Sequence, residues 1–160
     1  MPIISTEIKF YQTTNGLGGA ITGTEATDSI NDIFDLVTST ESSVGSTEYR
    51  CIYVKNTNGV LTLSNAVNYI VTNTPLTSTN LFIGLGTSSI GGVEQIIASE
   101  TTAPIGITFT DLLGVGNALN IGSVPAGSHM AIWLKRVVDA GASASASDGA
   151  QIIVSGDTSS

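Results

Sequence analysis

The stretch Glu48-Tyr49-Arg50-Cys51-Ile52-Tyr53-Val54-Lys55-Asn56 decides the fold. Aromatic and β-branched side chains crowd it, and they alternate. Tyr49, Cys51 and Tyr53 take one face, while Arg50, Ile52 and Val54 take the other. A period of two is that of a β-strand, whose successive side chains point to opposite sides. Thr57-Asn58-Gly59 follows, with Gly59 able to supply the positive φ of a tight turn. Beyond it, Val60 to Thr72 puts Leu61, Leu63, Asn65, Val67, Tyr69 and Val71 on one side. The two runs together read as the strongest hairpin in the chain.

Outward from this pair, His129 to Val138 is a second clear strand. It places Met130, Ile132, Leu134, Arg136 and Val138 on one face, with Ala131, Trp133, Lys135 and Val137 on the other. Further strands are expected at Ile3–Gln12, Asn80–Leu85, Val93–Ala98, Ile105–Phe109, Leu119–Val124 and Ala150–Ser155. About eight or nine short strands separated by Gly, Pro and Asn turns predict an all-β chain, a β-sandwich or jelly-roll-like fold. The length suits a single domain over residues 1–160. One segment departs from the β pattern. Ile30, Ile33, Phe34 and Val37 sit at helical spacing, with Thr27 or Asp28 available as N-cap. A short helix or helical turn is therefore expected near residues 28–37. Thr38–Thr47 and Asp139–Gly149 read as surface loops.

Composition narrows the function. Hydrophobic residues make up 41% and mean hydropathy is +0.31, which argues for a packed core against disorder. Charged residues are only 11% and the net charge is −8. Ser and Thr fill about a quarter of the chain and cover surface that ions usually cover. Such a surface can lie against another protein while few ions leave water; an ordinary secreted β-domain is the competing reading. Five basic residues, Lys9, Arg50, Lys55, Lys135 and Arg136, are too few and too scattered for nucleic acid or an anionic membrane. Residues 1–20 hold no basic segment leading into an apolar core, so no signal peptide is expected. No apolar run approaches the about 18 residues of a membrane-spanning helix.

The chemistry-bearing residues point away from catalysis. His129, the single histidine, has no Gly-x-Ser-x-Gly elbow to accompany it. Cys51 lies mid-strand between Tyr49 and Tyr53, the setting of an inert, buried thiol. One Cys and one His cannot build a zinc site. Asp28, Asp32 and Asp35 lack the alternation and central Gly of a calcium loop. Gly84-Leu85-Gly86 lacks the third Gly and following helix of a phosphate cradle. No catalytic, cofactor or metal residue is assigned. Trp133 has two readings: an interface anchor if the Ile132/Leu134 face is the core, or a core residue if the register is reversed.

Glu48 to Asn56 also resembles a segment of small virion structural proteins of tailed bacteriophages. Pro125-Ala126-Gly127-Ser128-His129-Met130-Ala131-Ile132-Trp133-Leu134-Lys135-Arg136 is similar in the same way, as are the Ala/Gly-rich loop after it and the closing Ile152-Ile153-Val154-Ser155-Gly156-Asp157-Thr158. These stretches cover about a quarter of the chain and are strand-and-turn patterns, so the resemblance transfers no functional residue. It implies a β-sandwich subunit of the virion, a non-enzymatic capsid decoration (cement) protein. Its partners would be the major capsid protein or other virion subunits, with copies of the chain forming a homo-oligomer on the particle. The alternatives are a tail, neck or baseplate subunit, and a carbohydrate-binding or adhesin-like module that would display Trp133 or Tyr11.

Overall fold

The computed structural model describes residues 2–27, 29, 31–73, 78–143 and 148–159. The strands are β1 (Ile8–Thr13), β2 (Gly18–Gly19), β3 (Ile21–Glu25), β4 (Ser46–Asn56), β5 (Thr62–Thr72), β6 (Thr79–Leu85), β7 (Glu94–Ile96), β8 (Leu119–Val124), β9 (His129–Val138) and β10 (Gln151–Ser159). They form a five-stranded sheet in the order β3-β1-β4-β9-β6, a three-stranded sheet β10-β5-β8, and a small β2-β7 pair. Every pairing between these strands is antiparallel. The fold is all-β, a sandwich of the two larger sheets.

The stretch read first lies at its centre. Along β4 and β9, Cys51 faces Trp133, Ile52 faces Ile132 and Tyr53 faces Ala131. Ile52, Val54, Ile132 and Leu134 point to the second sheet, as do Leu81 and Ile83 from β6. They meet Leu63, Ala66 and Ile70 of β5 and Ile121 and Val124 of β8. Each such side chain contributes about 1.5–3 kcal/mol by leaving water, so this interior is the main stabilising element.

The expected hairpin is not one. β4 pairs with β1 and β9, whereas β5 pairs with β10 and β8. The Thr57–Leu61 segment is an arch that carries the chain from one sheet to the other. Side-chain hydrogen bonds shape it. Buried Asn56 donates through Nδ2 to the carbonyls of Leu61 (2.8 Å) and Val124 (3.0 Å), and its Oδ1 accepts from the Asn58 N–H. Asn58 Oδ1 in turn accepts from the N–H groups of Val60 and Leu61. An Asx side chain that satisfies these amides removes the need for a strand partner across the turn.

The alternation expected for β5 also breaks. Leu63 is buried, but further on Ala66, Asn68 and Ile70 face inward. Asn65 has φ 50° and the register shifts between Leu63 and Ala66. One bulged residue moves every later side chain to the opposite face.

The short helix forms further along than expected. Residues 31–34 make turns and bends, and the helix is Ser39–Val44 (α1), inside the stretch expected to be a loop. Asn31 has φ 64°, which interrupts a helix there. Asp32 accepts hydrogen bonds from the Thr27 N–H and from Gln12 Nε2 (2.7 Å), tying that turn to β1. Thr38 and Glu41 form the capping box that starts α1: Thr38 Oγ1 accepts from the Glu41 N–H and Glu41 Oε2 from the Thr38 N–H. Asp28 and Ile30 of the expected helix lie outside the described residues, as do residues 144–147 of the expected 139–149 loop. The strand expected at Ile105–Phe109 is a turn leading to a single bridge between Thr110 and Ile83.

Candidate functional site

Burial on both faces distinguishes the larger sheet. Opposite the sandwich interior, Cys51, Tyr53, Ala131, Trp133 and Ile97 form a second apolar cluster. Trp133 is therefore core even though the Ile132/Leu134 face is core as well, because the two readings of the sequence share a false premise that one face is open. What covers Trp133 is the β2-β7 pair with Ile107 and Phe109. Gly18 makes this possible. Its φ is 94°, and a Cβ there would stand 1.9 Å from the Gln95 carbonyl oxygen and 3.2 Å from Trp133 Cζ2. The Tyr53 hydroxyl pins the cover by donating to the Gly19 carbonyl (2.7 Å) and accepting from the Glu94 N–H (2.9 Å). Burial pushes the Glu94 carboxyl up, but hydrogen bonds from the Ser88 N–H and the Thr87 hydroxyl outweigh it and hold the group below its usual range. The outer side of the same cover is apolar and open to solvent: Val93, Ile96 and Ile105 are 67%, 74% and 84% exposed.

The second concentration of chemistry lies at one end of the sandwich, on the inward face of β4 and β9. Glu48 is 1% exposed and opposite Arg136 in the ladder. Arg136 donates from Nε (2.8 Å) and from Nη2 to the same oxygen, Glu48 Oε2. Its Nη1 donates to the Asp35 carbonyl (2.7 Å). Arg50 donates to the Ile33 carbonyl (3.1 Å) and pairs with Glu100. Asp35 Oδ1 stands 3.5 Å and 3.6 Å from the two guanidinium groups. The Phe34 ring lies against both of them, 5.6 Å from Arg50 Cζ and 4.8 Å from Arg136 Cζ, within cation–π range. This clamp straps residues 33–35 over the end of the sheet. An open cavity of about 900 Å³ lies beneath, with Phe10, Leu81, Leu134 and Ile152 in its wall.

Glu48 Oε1 finds no donor, although it is buried. Burial raises the Glu48 carboxyl to about 7, and the neighbouring Glu41 carboxyl adds to the rise against the opposing pull of Arg136. Glu41 is itself held below its usual range, chiefly by the hydrogen bond from the Thr38 N–H.

The residues weighed in the sequence are dispersed. His129 meets Tyr53 edge-on with centroids 4.8 Å apart, and its Nε2 lies 3.3 Å from the Gly92 carbonyl oxygen. A backbone oxygen, not a carboxylate, holds it. Cys51 is fully buried and burial pushes its thiol far up, away from thiolate chemistry. Cys51→Ser is expected to cost about 1 kcal/mol, from a hydroxyl placed in an apolar cluster; urea unfolding of the two proteins checks it. Asp32 and Asp35 serve different partners, and Asp28 is outside the described residues. Gly84 and Gly86 are sites of close packing: a Cβ would stand 2.4 Å from Ile107 Cγ2 at Gly84 and 2.8 Å from the Ala131 oxygen at Gly86. Tyr11 is half-buried with Lys55 over its ring, 5.2 Å from the centroid. Among the described residues, no group of three or more His, Cys, Asp and Glu gathers in a way that could hold a metal ion.

The alternation of β4 and β9 carried a signal for the charged end. Both Arg50 and Arg136 fall on the apolar faces of their strands. A cation on a core face requires a buried anion, and Glu48, two residues before Arg50, is that anion. Compared with known proteins, the chain matches no family model, no curated protein and no solved structure.

Proposed function

We propose that this chain is a non-enzymatic virion structural protein, a capsid decoration (cement) protein that binds and stabilises an assembled phage head. The observation that carries this reading is the outer cover of the sheet. Val93, Ile96 and Ile105 are displayed on a segment fixed to the core by Gly18, Tyr53 and Glu94. A rigid apolar surface loses little conformational entropy on docking, which is the condition for useful binding through burial. The sparse charge leaves few ions to desolvate, and many copies on one particle would sum weak contacts. The resemblance of Glu48–Asn56 and Pro125–Arg136 to small phage virion proteins supplies the setting.

A tail, neck or baseplate subunit is the same chemistry at another place on the particle. A carbohydrate-binding module loses its main support, because Trp133 is 0% exposed and cannot stack on a sugar. The test is titration of the purified protein onto undecorated heads at about 50 mM and about 500 mM salt, over which the screening length falls about threefold. Saturable binding that weakens less than about threefold is expected for a burial-driven contact. Absence of binding, or a loss of about tenfold or more, overturns this account.

A further inference from the structure

We propose that the three-stranded sheet is a self-association surface: the outer edge of β10 pairs antiparallel with β10 of a second copy of this chain, joining the two small sheets into one. This surface is separate from the cover over Trp133, and the pairing stands whether or not the chain coats a phage head.

A sheet edge leaves alternate N–H and C=O groups without a ladder partner, and native edges commonly carry a device that blocks further pairing. The two larger sheets end in β3, β6, β8 and β10. On β6, Ile83 exchanges backbone hydrogen bonds with Thr110 (3.1 and 3.0 Å), and the Leu81 N–H donates to Asn73 Oδ1 (3.1 Å). On β8, Gly122 has φ 80° and its N–H donates to Asn120 Oδ1 (2.8 Å). On β3, the Thr24 N–H donates to Thr22 Oγ1 (3.2 Å). β10 differs. Its Ile153 carbonyl turns toward β5, where Asn68 Nδ2 donates to it (2.9 Å). Alternation then turns the N–H and C=O groups of Ile152 and Val154 away from β5. Among the described residues, no backbone hydrogen bond beyond the β5 ladder reaches them. The Ile3 N–H meets the strand only at its far end, on Thr158 Oγ1 (3.2 Å).

Charge selects a second copy as the occupant. A chain of net charge −8 repels its own kind over most of its surface. All five basic residues stand on β1, β4 and β9. By contrast, β5, β8 and β10 carry no basic group and a single carboxylate, Asp157, to which Asn65 Nδ2 donates (3.0 Å). Two copies therefore meet here with little repulsion, whereas a basic partner finds little to attract it.

The outward face of the same sheet adds apolar area. Val67, Tyr69 and Ile153 are half-buried, Val71 is exposed, and none of them belongs to either apolar cluster. Ile153 stands opposite Tyr69, so pairing at β10 continues this row into the second copy. An antiparallel pair of identical strands is self-complementary about a two-fold axis and uses up the edge that forms it, so growth stops at a dimer. With the axis at Val154, Ser155 of one copy faces Ile153 of the other and lies about 7–8 Å from its own counterpart.

Sedimentation of the full chain from about 5 µM to about 500 µM should show monomer giving way to dimer and nothing larger. Hydrogen exchange at the Ile152 and Val154 amides should slow at least about threefold over that range, while the Gly122 and Thr24 amides on other edges stay unchanged. Ser155→Lys and Ser155→Glu should each weaken the dimer at least about threefold, because the two-fold axis sets a charge of either sign against its own kind. The exchange measurement needs no variant, so it decides even if the substitutions disturb folding. A chain that stays monomeric throughout, a ladder of larger assemblies, or a dimer that leaves exchange at Ile152 and Val154 unchanged overturns the pairing. Opposite responses to Lys and Glu also overturn it, since Ser155 would then meet a charged group on a different surface.

Discussion

Trp133→Ala is expected to destabilise the protein by about 3–5 kcal/mol, the range for removing a large aromatic from a packed interior. Trp133 is 0% exposed, lies opposite Cys51 in the β4-β9 ladder, and is overlaid by Gly18 of the β2-β7 pair. Truncation would leave a cavity between a sheet and its cover. The sheet cannot collapse to fill it, because its other face is committed to the sandwich interior. The cover cannot follow inward either without giving up the Tyr53 bonds to Gly19 and Glu94. A domain of this size has a total stability of about 5–15 kcal/mol, so the variant should lie near its unfolding threshold at room temperature. Urea unfolding followed by far-ultraviolet circular dichroism is the appropriate measurement, since Trp133 is the chain's single tryptophan and its fluorescence is lost in the variant. A cost below about 1 kcal/mol would mean that the cover does not pack on Trp133. Exposure of Val93, Ile96 and Ile105 on a fixed surface would then lose its basis.

Alternation specifies strands where it runs uninterrupted, and it misleads where a single side chain redirects the backbone. Leu119–Val124 and His129–Val138 are found at their expected bounds, because a period of two over six to ten residues has few competing interpretations. The β4-β5 hairpin failed for a local reason. A turn of Asn and Gly between two apolar runs serves a hairpin and a sheet-to-sheet arch equally, and the choice rests on Asn56 reaching Val124 across 68 positions. No window of neighbouring residues contains that information. Asn65 has the same character: its αL conformation reverses the facing of Val67, Tyr69 and Val71 through a bulge that the bare pattern does not show.

The helix and the charged end show a related limit. Ile33 and Phe34 have helical spacing with Ile30 and Val37, yet their partners are tertiary: both pack against the sandwich interior, and Phe34 also lies against two arginines. The capping signature Thr38-x-x-Glu41 was present in the sequence and marks the true helix start. Glu48 was legible only in part. Its place on the face shared with Arg50 follows from alternation, but its pairing with Arg136 depends on the β4-β9 register. Trp133 is the clearest case. Alternation placed it on the correct face, while the burial of that face depends on residues 94–109 folding back over it.

Arg136→Met should carry a comparable penalty, about 3–5 kcal/mol near pH 8, because it strands a buried carboxylate. Glu48 is 1% exposed and Arg136 supplies both donors to its Oε2. Methionine keeps much of the aliphatic volume against Phe34 but offers no donor. The Asp35 carbonyl loses its 2.7 Å bond from Arg136 as well, a loss that does not vary with pH. The Glu48 part does vary, and its sign is fixed. Arg136 pulls the Glu48 carboxyl down from where burial and Glu41 would set it, so its removal raises the carboxyl beyond about 7. Glu48 then stays protonated to higher pH in the folded variant, and the penalty shrinks as pH falls through that range. At about pH 5, where Glu48 is neutral in both folded proteins, what is left is the loss of hydrogen bonds and of the contact with Phe34, about 1–2 kcal/mol. Adding Glu48→Gln to Arg136→Met should recover part of the loss at about pH 8 and little at about pH 5, since the double variant has no buried charge to strand. Denaturant midpoints for the single and double variants at the two pH values measure this. Equal penalties at both would show that Glu48 carries no charge that depends on Arg136, and the ion pair at the end of the sandwich would then be a packing contact only.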